Sequence, residues 1–225
     1  MEIVRQVLIV DDSDDIEQDV KQYISIFNKI KNEKGLSYNL NITNVQTYDD
    51  AIGILVSDQY VFDVLLIDYD LSTKGSSLYG DDLIKEVRMG INKNCKIIFY
   101  TMHELSEVFQ TREELIQLFN TGIYRFITKD LGTESERVYG SPEHQLRVEE
   151  IVNAIEDIDI IQVTLERYFA EFGELTDDER VVVDSQEYSI GEIIRLIRKD
   201  DEAGRKYKKN LAESVIIQNL SRGSF

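Results

Sequence analysis

The segment Val64-Leu65-Leu66-Ile67-Asp68-Tyr69-Asp70 decides the predicted fold. Four consecutive apolar residues followed by acidic ones are typical of a short strand that is buried on both faces of a parallel sheet. Such a strand would place the Asp68 carboxylate at its carboxyl end, where ligands bind in open α/β sheets. An aspartate there can act as a nucleophile or a metal ligand, or it can simply cap a turn. The rest of the chain has to decide between these interpretations.

Four further segments are predicted to be strands, and helical patterns separate them. These strands lie at about residues 7–10, 40–45, 96–100 and 123–128. The intervening helices are expected at about residues 14–31, 48–57, 81–88 and 104–120. Strands that alternate with helices predict an α/β fold, with helices on both faces of a parallel sheet. We expect a flavodoxin-like, doubly wound sheet of five strands in the order 2-1-3-4-5.

The region after the fifth strand is predicted to be mainly helical. A long helical pattern over about residues 143–172 would form a long fifth helix that extends beyond the sheet, because thirty helical residues span about 45 Å. A short strand at 181–183, a helix at 190–199 and a final helix that runs to about residue 220 follow. We therefore predict a sheet domain over residues 1–160 and a small, mainly helical effector or interaction domain over residues 161–225.

Chemically capable side chains follow four of the five predicted strands. They are Asp11 and Asp12 after the first strand, Asp68 at the third, Thr101 after the fourth and Lys129 after the fifth. In the order 2-1-3-4-5 these four strands are neighbours, so their carboxyl ends would bring the side chains into one crevice. Carboxylates suit Mg²⁺, which prefers oxygen ligands, while an ammonium and a hydroxyl can contact a phosphoryl group. Each residue alone could cap a helix or stay solvated, but together they predict phosphoryl transfer to a carboxylate.

The segments that carry these residues resemble the receiver domain of response regulators in bacterial two-component signalling. They are Val7-Leu8-Ile9-Val10-Asp11-Asp12, Leu66-Ile67-Asp68, Ile97-Ile98-Phe99-Tyr100-Thr101 and Arg125-Phe126-Ile127-Thr128-Lys129. The resemblance covers about residues 4–160. It implies that Asp68 accepts a phosphoryl group and that Mg²⁺ is held by the carboxylates of Asp11, Asp12 and Asp68, with the main-chain carbonyl of Asp70 as a further ligand.

The resemblance also implies a switch between two states. Thr101 would be the switch hydroxyl, Lys129 would contact the phosphoryl group, and Phe126 would be the switch aromatic that turns inward when Thr101 moves; an ordinary core side chain is the other interpretation of Phe126. Two positions depart from the family's pattern. Asp130 follows Lys129 where receivers usually have a proline in a cis peptide, and Met102 replaces a small residue, which predicts slower gain and loss of phosphate.

For partners, the resemblance implies a sensor histidine kinase or a phosphotransfer protein as the phosphoryl donor. Self-phosphorylation and autodephosphorylation at Asp68 would then be the chain's only enzymatic chemistry. Residues 161–225 would carry the output, through a homodimer or a protein partner. A phosphate sink without a specific output is the competing hypothesis.

An alternative comes from the segment Asp68-Tyr69-Asp70-Leu71-Ser72. It resembles the DxDx motif of haloacid-dehalogenase-type phosphatases, in which the second Asp is a general acid. In those enzymes the acidic metal pair follows the nucleophile, whereas Asp11 and Asp12 precede Asp68. Sustained turnover of a phosphomonoester would favour this alternative.

Composition excludes several other classes of protein. The formal charge of −18 argues against a general nucleic-acid binder. A basic segment, Arg195 to Lys209, leaves weak DNA binding open, although a solvated helix surface is the preferred interpretation. No apolar run approaches the 18 or so residues that cross a membrane, and Val7–Val10 is too short for a signal peptide. The single Cys95 agrees with a reducing, cytoplasmic location.

Overall fold

The computed structural model describes residues 3–57, 61–72, 78–128, 141–176 and 179–222. The chain forms two compact units, one spanning Val4–Asp157 and the other within Ile158–Phe225. Among the residues described, no helix is both long enough and apolar enough to cross a membrane.

A five-stranded sheet forms the centre of the first unit. Its strands are β1 (Ile3–Val10), β2 (Tyr38–Val45), β3 (Val64–Asp68), β4 (Lys96–Tyr100) and β5 (Arg125–Ile127). They lie in the order β2-β1-β3-β4-β5, and the pairs β1–β3, β3–β4 and β4–β5 are parallel. The predicted doubly wound, flavodoxin-like strand order is therefore confirmed.

Helices connect the strands of this sheet. They are α1 (Ile16–Lys34), α2 (Tyr48–Val56), α3 (Gly80–Glu86), α4 (Leu105–Val108), α5 (Arg112–Asn120) and α6 (Pro142–Glu156). The last turn of α3 widens into a π-helical segment at Val87–Ile91. Local side chains start several of these helices: Thr47, for example, caps α2 by accepting a hydrogen bond from the Asp50 amide at 3.1 Å.

The strand β3 is buried on both faces, as its apolar sequence predicts. Each of its residues from Val64 to Ile67 has no exposed surface. Successive side chains point to opposite faces; Leu65 and Ile67 pack in a cluster with α2 and α3, and α6, which packs on α1, also contacts β3 and β4. Burial of one such side chain contributes about 1.5–3 kcal/mol, so β3 holds Asp68 on a rigid element.

The predicted single helix over residues 104–120 is wrong, because two helices occupy this region. α4 ends at Val108 and α5 begins at Arg112. The break lies at Thr111, whose hydroxyl accepts a hydrogen bond from the Glu114 amide while the Glu114 carboxylate accepts one from the Thr111 amide, each at 3.2 Å. This capping box starts a new helix where the apolar spacing alone suggested continuity.

The predicted long fifth helix over residues 143–172 is also wrong. The structure has two helices there, α6 and α7 (Ile160–Thr176), separated by residues 157–159. Asp157 follows the last turn of α6, and the Asp159 carboxylate accepts a hydrogen bond from the Ile161 amide at 2.8 Å. Aspartate competes with helical hydrogen bonding and favours helix ends, so the sequence Asp157-Ile158-Asp159 interrupts the pattern.

The second unit joins helices to a small hairpin. It contains α7, β6 (Arg180–Val183), β7 (Gln186–Ser189), α8 (Ile190–Arg198) and α9 (Glu202–Arg222). β6 and β7 are antiparallel, and their turn residues Asp184 and Ser185 both have positive φ, as a type I′ hairpin turn requires. The predicted strand 181–183 is present; its polar partner β7 was not predicted because it lacks an apolar pattern.

Basic side chains of the second unit pair with acidic ones. Arg198 lies 2.9 Å from Glu166 and Lys208 lies 2.9 Å from Asp159, while Lys206 pairs with Asp184. These pairs use cations that a nucleic-acid surface would direct at phosphates. They favour the interpretation of the basic segment as part of this unit's own surface.

Candidate metal centre

Three carboxylates meet at the carboxyl edge of the sheet. Asp11 and Asp12 follow β1, and Asp68 is the last residue of β3. The register of the two strands sets Val10 beside Ile67, so Asp11 follows at the level of Asp68. Each carboxylate offers one oxygen, and the three oxygens all lie within 4.8 Å of one another. This spacing allows one metal ion to be shared by all three groups.

The environment of Asp68 disfavours its charged form in the metal-free protein. Burial, followed by the charge of Asp11, raises the pKa of Asp68 from 3.8 to about 8. The strongest opposing influence is the guanidinium of Arg147, and Asp12 adds a smaller increase. The cluster therefore carries negative charge that its surroundings only partly compensate.

The donor set fits a small divalent cation. Mg²⁺ takes hard oxygen ligands and is commonly held by one or two carboxylates together with water and phosphate oxygens. A divalent charge within the cluster formed by Asp11, Asp12 and Asp68 would favour the ionised form of Asp68, against the burial and the Asp11 charge that raise its pKa. The carboxylates of this edge are therefore suited to Mg²⁺.

The carboxylate of Asp11 accepts two hydrogen bonds from residues in the described part of the chain. Its Oδ1 accepts the Ser13 amide at 2.8 Å, and its Oδ2 accepts the hydroxyl of Tyr100 at the end of β4. Both Asp11 and Tyr100 are almost completely buried. Outer groups of this kind fix the orientation of a ligand before the metal arrives.

A buried arginine lies next to this tyrosine, and the sequence analysis did not identify it. Arg147 of α6 has its guanidinium carbon 4.1 Å from the centroid of the Tyr100 ring, and its Nη1 donates to the hydroxyl of Tyr23 at 2.8 Å. The sequence does contain a signal: Arg147 shares one helix face with Ile151 and Ile155, at a spacing of four residues, where an apolar residue is expected.

Thr101 lies at the same edge of the sheet. The register of β3 and β4 sets Asp68 beside Tyr100, so Thr101 is the next residue beyond the strand. Its amide donates to the Ile127 carbonyl at 3.0 Å, and its buried hydroxyl oxygen accepts the His103 amide at 3.1 Å. Lys129 and the Lys129–Asp130 peptide lie outside the described residues, so their predicted roles stay predictions.

The side chain of Asp70 is engaged away from the three clustered carboxylates. Its Oδ1 accepts the Ser72 amide at 3.0 Å, and its Oδ2 lies 3.9 Å from Nε2 of His103. Hydrogen bonding to Ser72 lowers the pKa of Asp70. The predicted metal ligand at this residue is the main-chain carbonyl, and that role stays a prediction.

Met102, which is 45% exposed, accepts a hydrogen bond from Arg147 on its sulfur at 3.6 Å.

Gly80, the first residue of α3, lies very close to the backbone of Asp68. Its amide donates to the Tyr69 carbonyl at 2.9 Å. A Cβ atom added to Gly80 would lie 2.0 Å from the carbonyl oxygen of Asp68. Only glycine allows the start of α3 to pack this closely against the end of β3, a requirement that sequence reasoning did not detect.

Phe126 belongs to an aromatic cluster behind the site. Its ring is buried and stacks on Phe99 with centroids 5.4 Å apart. Phe109 and Phe119 contact it edge-on at 5.9 Å and 6.5 Å. Phe119 is half exposed, so the cluster reaches from the sheet to the surface of α5. The switch role of Phe126 stays a prediction.

Comparison with known proteins finds similarity only among solved structures. No family model and no curated protein matches the chain. One similar structure is a response regulator receiver domain protein from Clostridium thermocellum, with 17% identity over 68% of this chain and 94% of that chain and a TM-score of 0.46. Another is the apo form of translation elongation factor SelB from Methanococcus maripaludis, with 14% identity over 71% of this chain and 35% of that chain and a TM-score of 0.41. Similarities this weak carry no functional inference, so the chemistry of the site rests on its own geometry.

Proposed function

We propose that this protein is a response regulator whose receiver domain accepts one phosphoryl group on Asp68 in the presence of Mg²⁺. The observation that carries the proposal is the meeting of three carboxylates, two following β1 and one ending β3, with oxygens within 4.8 Å of one another. Carboxylates this close repel one another when ionised, and a bound cation would offset that repulsion. A nucleophilic aspartate beside a divalent metal has the chemistry needed to accept a phosphoryl group.

In this mechanism a carboxylate oxygen of Asp68 attacks the phosphorus of the donor. A new P–O bond forms to Asp68, and the bond between phosphorus and the donor atom breaks, with its electron pair leaving on the donor. The donor is a phosphohistidine of a sensor histidine kinase or phosphotransfer protein, or a small acyl phosphate. Mg²⁺, held by Asp11, Asp12, Asp68 and the main-chain carbonyl of Asp70, would stabilise the ionised nucleophile and the negative phosphoryl oxygens.

Three further side chains would respond to the phosphoryl group. The Thr101 hydroxyl would donate to a phosphoryl oxygen and leave its present hydrogen bond with the His103 amide. The ammonium of Lys129 would offset phosphoryl charge. Movement of Thr101 would let Phe126 repack, and Phe119 links Phe126 to the surface of α5. These contacts support an output in which phosphorylation changes the surface around α5.

The phosphatase alternative is disfavoured by the side chain of Asp70. A general acid must be protonated before it can donate to a leaving group. Hydrogen bonds from Ser72 lower the pKa of Asp70. These hydrogen bonds favour the ionised form of the residue that would have to act as the general acid.

Incubation with acetyl phosphate and Mg²⁺ tests the proposed function directly. Intact mass should increase by a single phosphoryl group per chain, and the label should be lost under alkaline conditions, as acyl phosphates are. Chelation of Mg²⁺ or the change Asp12→Asn should suppress uptake, because chelation removes the cation and the substitution removes one of its carboxylate ligands. Unmodified mass after prolonged incubation, or continuous release of phosphate from a phosphomonoester, would contradict the proposal.

The output can be tested with a phosphate mimic. We expect beryllofluoride with Mg²⁺ to change either the solution mass or the binding of a partner protein, with residues 161–225 acting as the effector or interaction domain. Light scattering of the full chain with and without the mimic measures the first, and the change Asp68→Asn should remove the response. An unchanged mass and unchanged partner binding at saturating mimic would instead favour a phosphate sink.

A further inference from the structure

Arg147 places a permanent positive charge in the interior beside the acidic cluster. Its side chain is 7% exposed, and arginine does not lose its proton in proteins. Among the residues that the structure describes, its guanidinium contacts the ring of Tyr100, the hydroxyl of Tyr23 and the sulfur of Met102. None of these is an anion, so these contacts alone do not compensate the buried charge.

The carboxylate that would compensate the charge of Arg147 is reached through Tyr100. Tyr100, whose ring carries the guanidinium at 4.1 Å, donates its hydroxyl to Asp11. Tyr100 is also the register partner of Asp68 in the neighbouring strand, so the residue that carries the guanidinium lies beside two of the three acids. Arg147 and Thr101 line the same small hollow, which also includes Glu143 of α6, so the guanidinium lies near the edge where the carboxylates meet.

We propose that Arg147 is an internal counter-cation of the acidic cluster, which keeps Asp11, Asp12 and Asp68 together before Mg²⁺ binds and thereby weakens Mg²⁺ binding. The proposal rests on the role given to Mg²⁺ above. A cation that already balances the carboxylates repels an arriving divalent ion, since both act on the same negative charge. The protein would thus hold its ligands in place without metal and bind Mg²⁺ reversibly.

Two changes at Arg147 separate its charge from its shape. Arg147→Met removes the charge and keeps most of the apolar stem. Arg147→Lys keeps the charge and loses the planar group that stacks on Tyr100. Arg125→Met is a matched control, because Arg125 is an arginine of the same unit that pairs with Glu150 of α6 at 3.0 Å but is exposed. Arg125→Met changes the net charge of the protein by the same amount as Arg147→Met.

Titration of the full chain with MgCl₂ in a calorimeter, together with thermal unfolding in chelator and in saturating Mg²⁺, tests the proposal. Arg147→Met should bind Mg²⁺ about tenfold or more tightly and should unfold at a lower temperature than the wild type in chelator, with Mg²⁺ restoring most of the loss. Arg147→Lys and Arg125→Met should bind Mg²⁺ within about threefold of the wild type, because charge near the cluster is unchanged.

Several results would overturn the proposal. They are Mg²⁺ binding by Arg147→Met that is weaker than or equal to that of the wild type, a tenfold change in Arg147→Lys, or no Mg²⁺ binding by the wild type. If Arg147→Met does not fold in either condition, Arg147→Gln, which also removes the charge but keeps a polar group near the Tyr23 hydroxyl, is judged by the same tenfold criterion. Calorimetry does not require phosphoryl uptake, so a wild type that binds Mg²⁺ but gains no phosphoryl mass would contradict the proposed function and leave this comparison intact.

Discussion

Replacing Asp68 with Asn should abolish phosphoryl uptake completely and should also stabilise the metal-free protein at neutral and alkaline pH. The first effect follows from the chemistry, because an amide cannot form the acyl phosphate that the proposed mechanism requires. The second follows from the position of Asp68 in a buried cluster with Asp11 and Asp12. An amide keeps the shape of the carboxyl group and removes one charge from the cluster.

The pH dependence of this stabilisation has a definite sign. Below its ordinary pKa of 3.8, Asp68 is protonated in both the folded and the unfolded chain. Between that value and about 8, the unfolded chain ionises Asp68 while the folded protein keeps it protonated, so the free energy of unfolding falls as pH rises and levels off above the folded pKa. Asp68→Asn cannot ionise and escapes this loss.

The size of the gain can be bounded. One unit of pKa corresponds to about 1.4 kcal/mol, and the partial exposure of Asp68 to water reduces the full shift. We expect Asp68→Asn to exceed the wild type by on the order of 2 kcal/mol near pH 8 and by little near pH 4. Urea unfolding in chelator at the two pH values measures the difference, and saturating Mg²⁺ should reverse the order because the variant lacks one ligand.

Asp70→Asn is the matched control for this prediction. Asp70 lies two residues away, its carboxylate bonds to the Ser72 amide, and its main-chain carbonyl is unaffected by the change. This variant should keep phosphoryl uptake and should lack the alkaline stabilisation, because the pKa of Asp70 is lowered rather than raised. Phosphoryl mass on Asp68→Asn, or a stability difference independent of pH, would contradict the assignment.

Gly80→Ala should distort the site from outside it. The added methyl group would lie 2.0 Å from the carbonyl oxygen of Asp68 and 3.0 Å from the Cγ2 of Ile67. The first neighbour is backbone and cannot rotate away, so the start of α3 or the end of β3 must shift. We expect a loss of about 3 kcal/mol in the free energy of unfolding. We also expect phosphoryl uptake to be about a hundredfold slower, since small displacements of reacting groups have large effects on rate.

Gly53→Ala provides the control for Gly80→Ala. Gly53 is exposed in α2 and an added methyl group has nothing within 4 Å, so alanine should stabilise the helix by up to about 1 kcal/mol. Urea unfolding and uptake kinetics on both variants make the comparison. Wild-type uptake by Gly80→Ala would show that the close approach to Asp68 does not position the nucleophile.

Local sequence was sufficient for the strands and for the acids at their ends. The apolar run before Asp68 and the one before Asp11 report burial on both faces, and residues after such strands must emerge at one edge of a parallel sheet. Helix continuity was predicted less well. Capping at Thr111 and at Asp159 divides two segments whose apolar spacing looked continuous, because a cap depends on individual hydrogen bonds rather than on periodicity.

What only the tertiary structure decided is the surroundings of the site. The Tyr100 hydroxyl bonds to Asp11, which lies 89 positions away in the sequence. Arg147 lies over the Tyr100 ring, although 47 positions separate the two residues. Gly80 matters because α3 approaches the backbone of Asp68. Sequence patterns report which face of an element is buried, since that depends on near neighbours. Which distant side chains then touch depends on how whole helices pack against the sheet, so the ligands were predictable and the groups that hold and balance them were not.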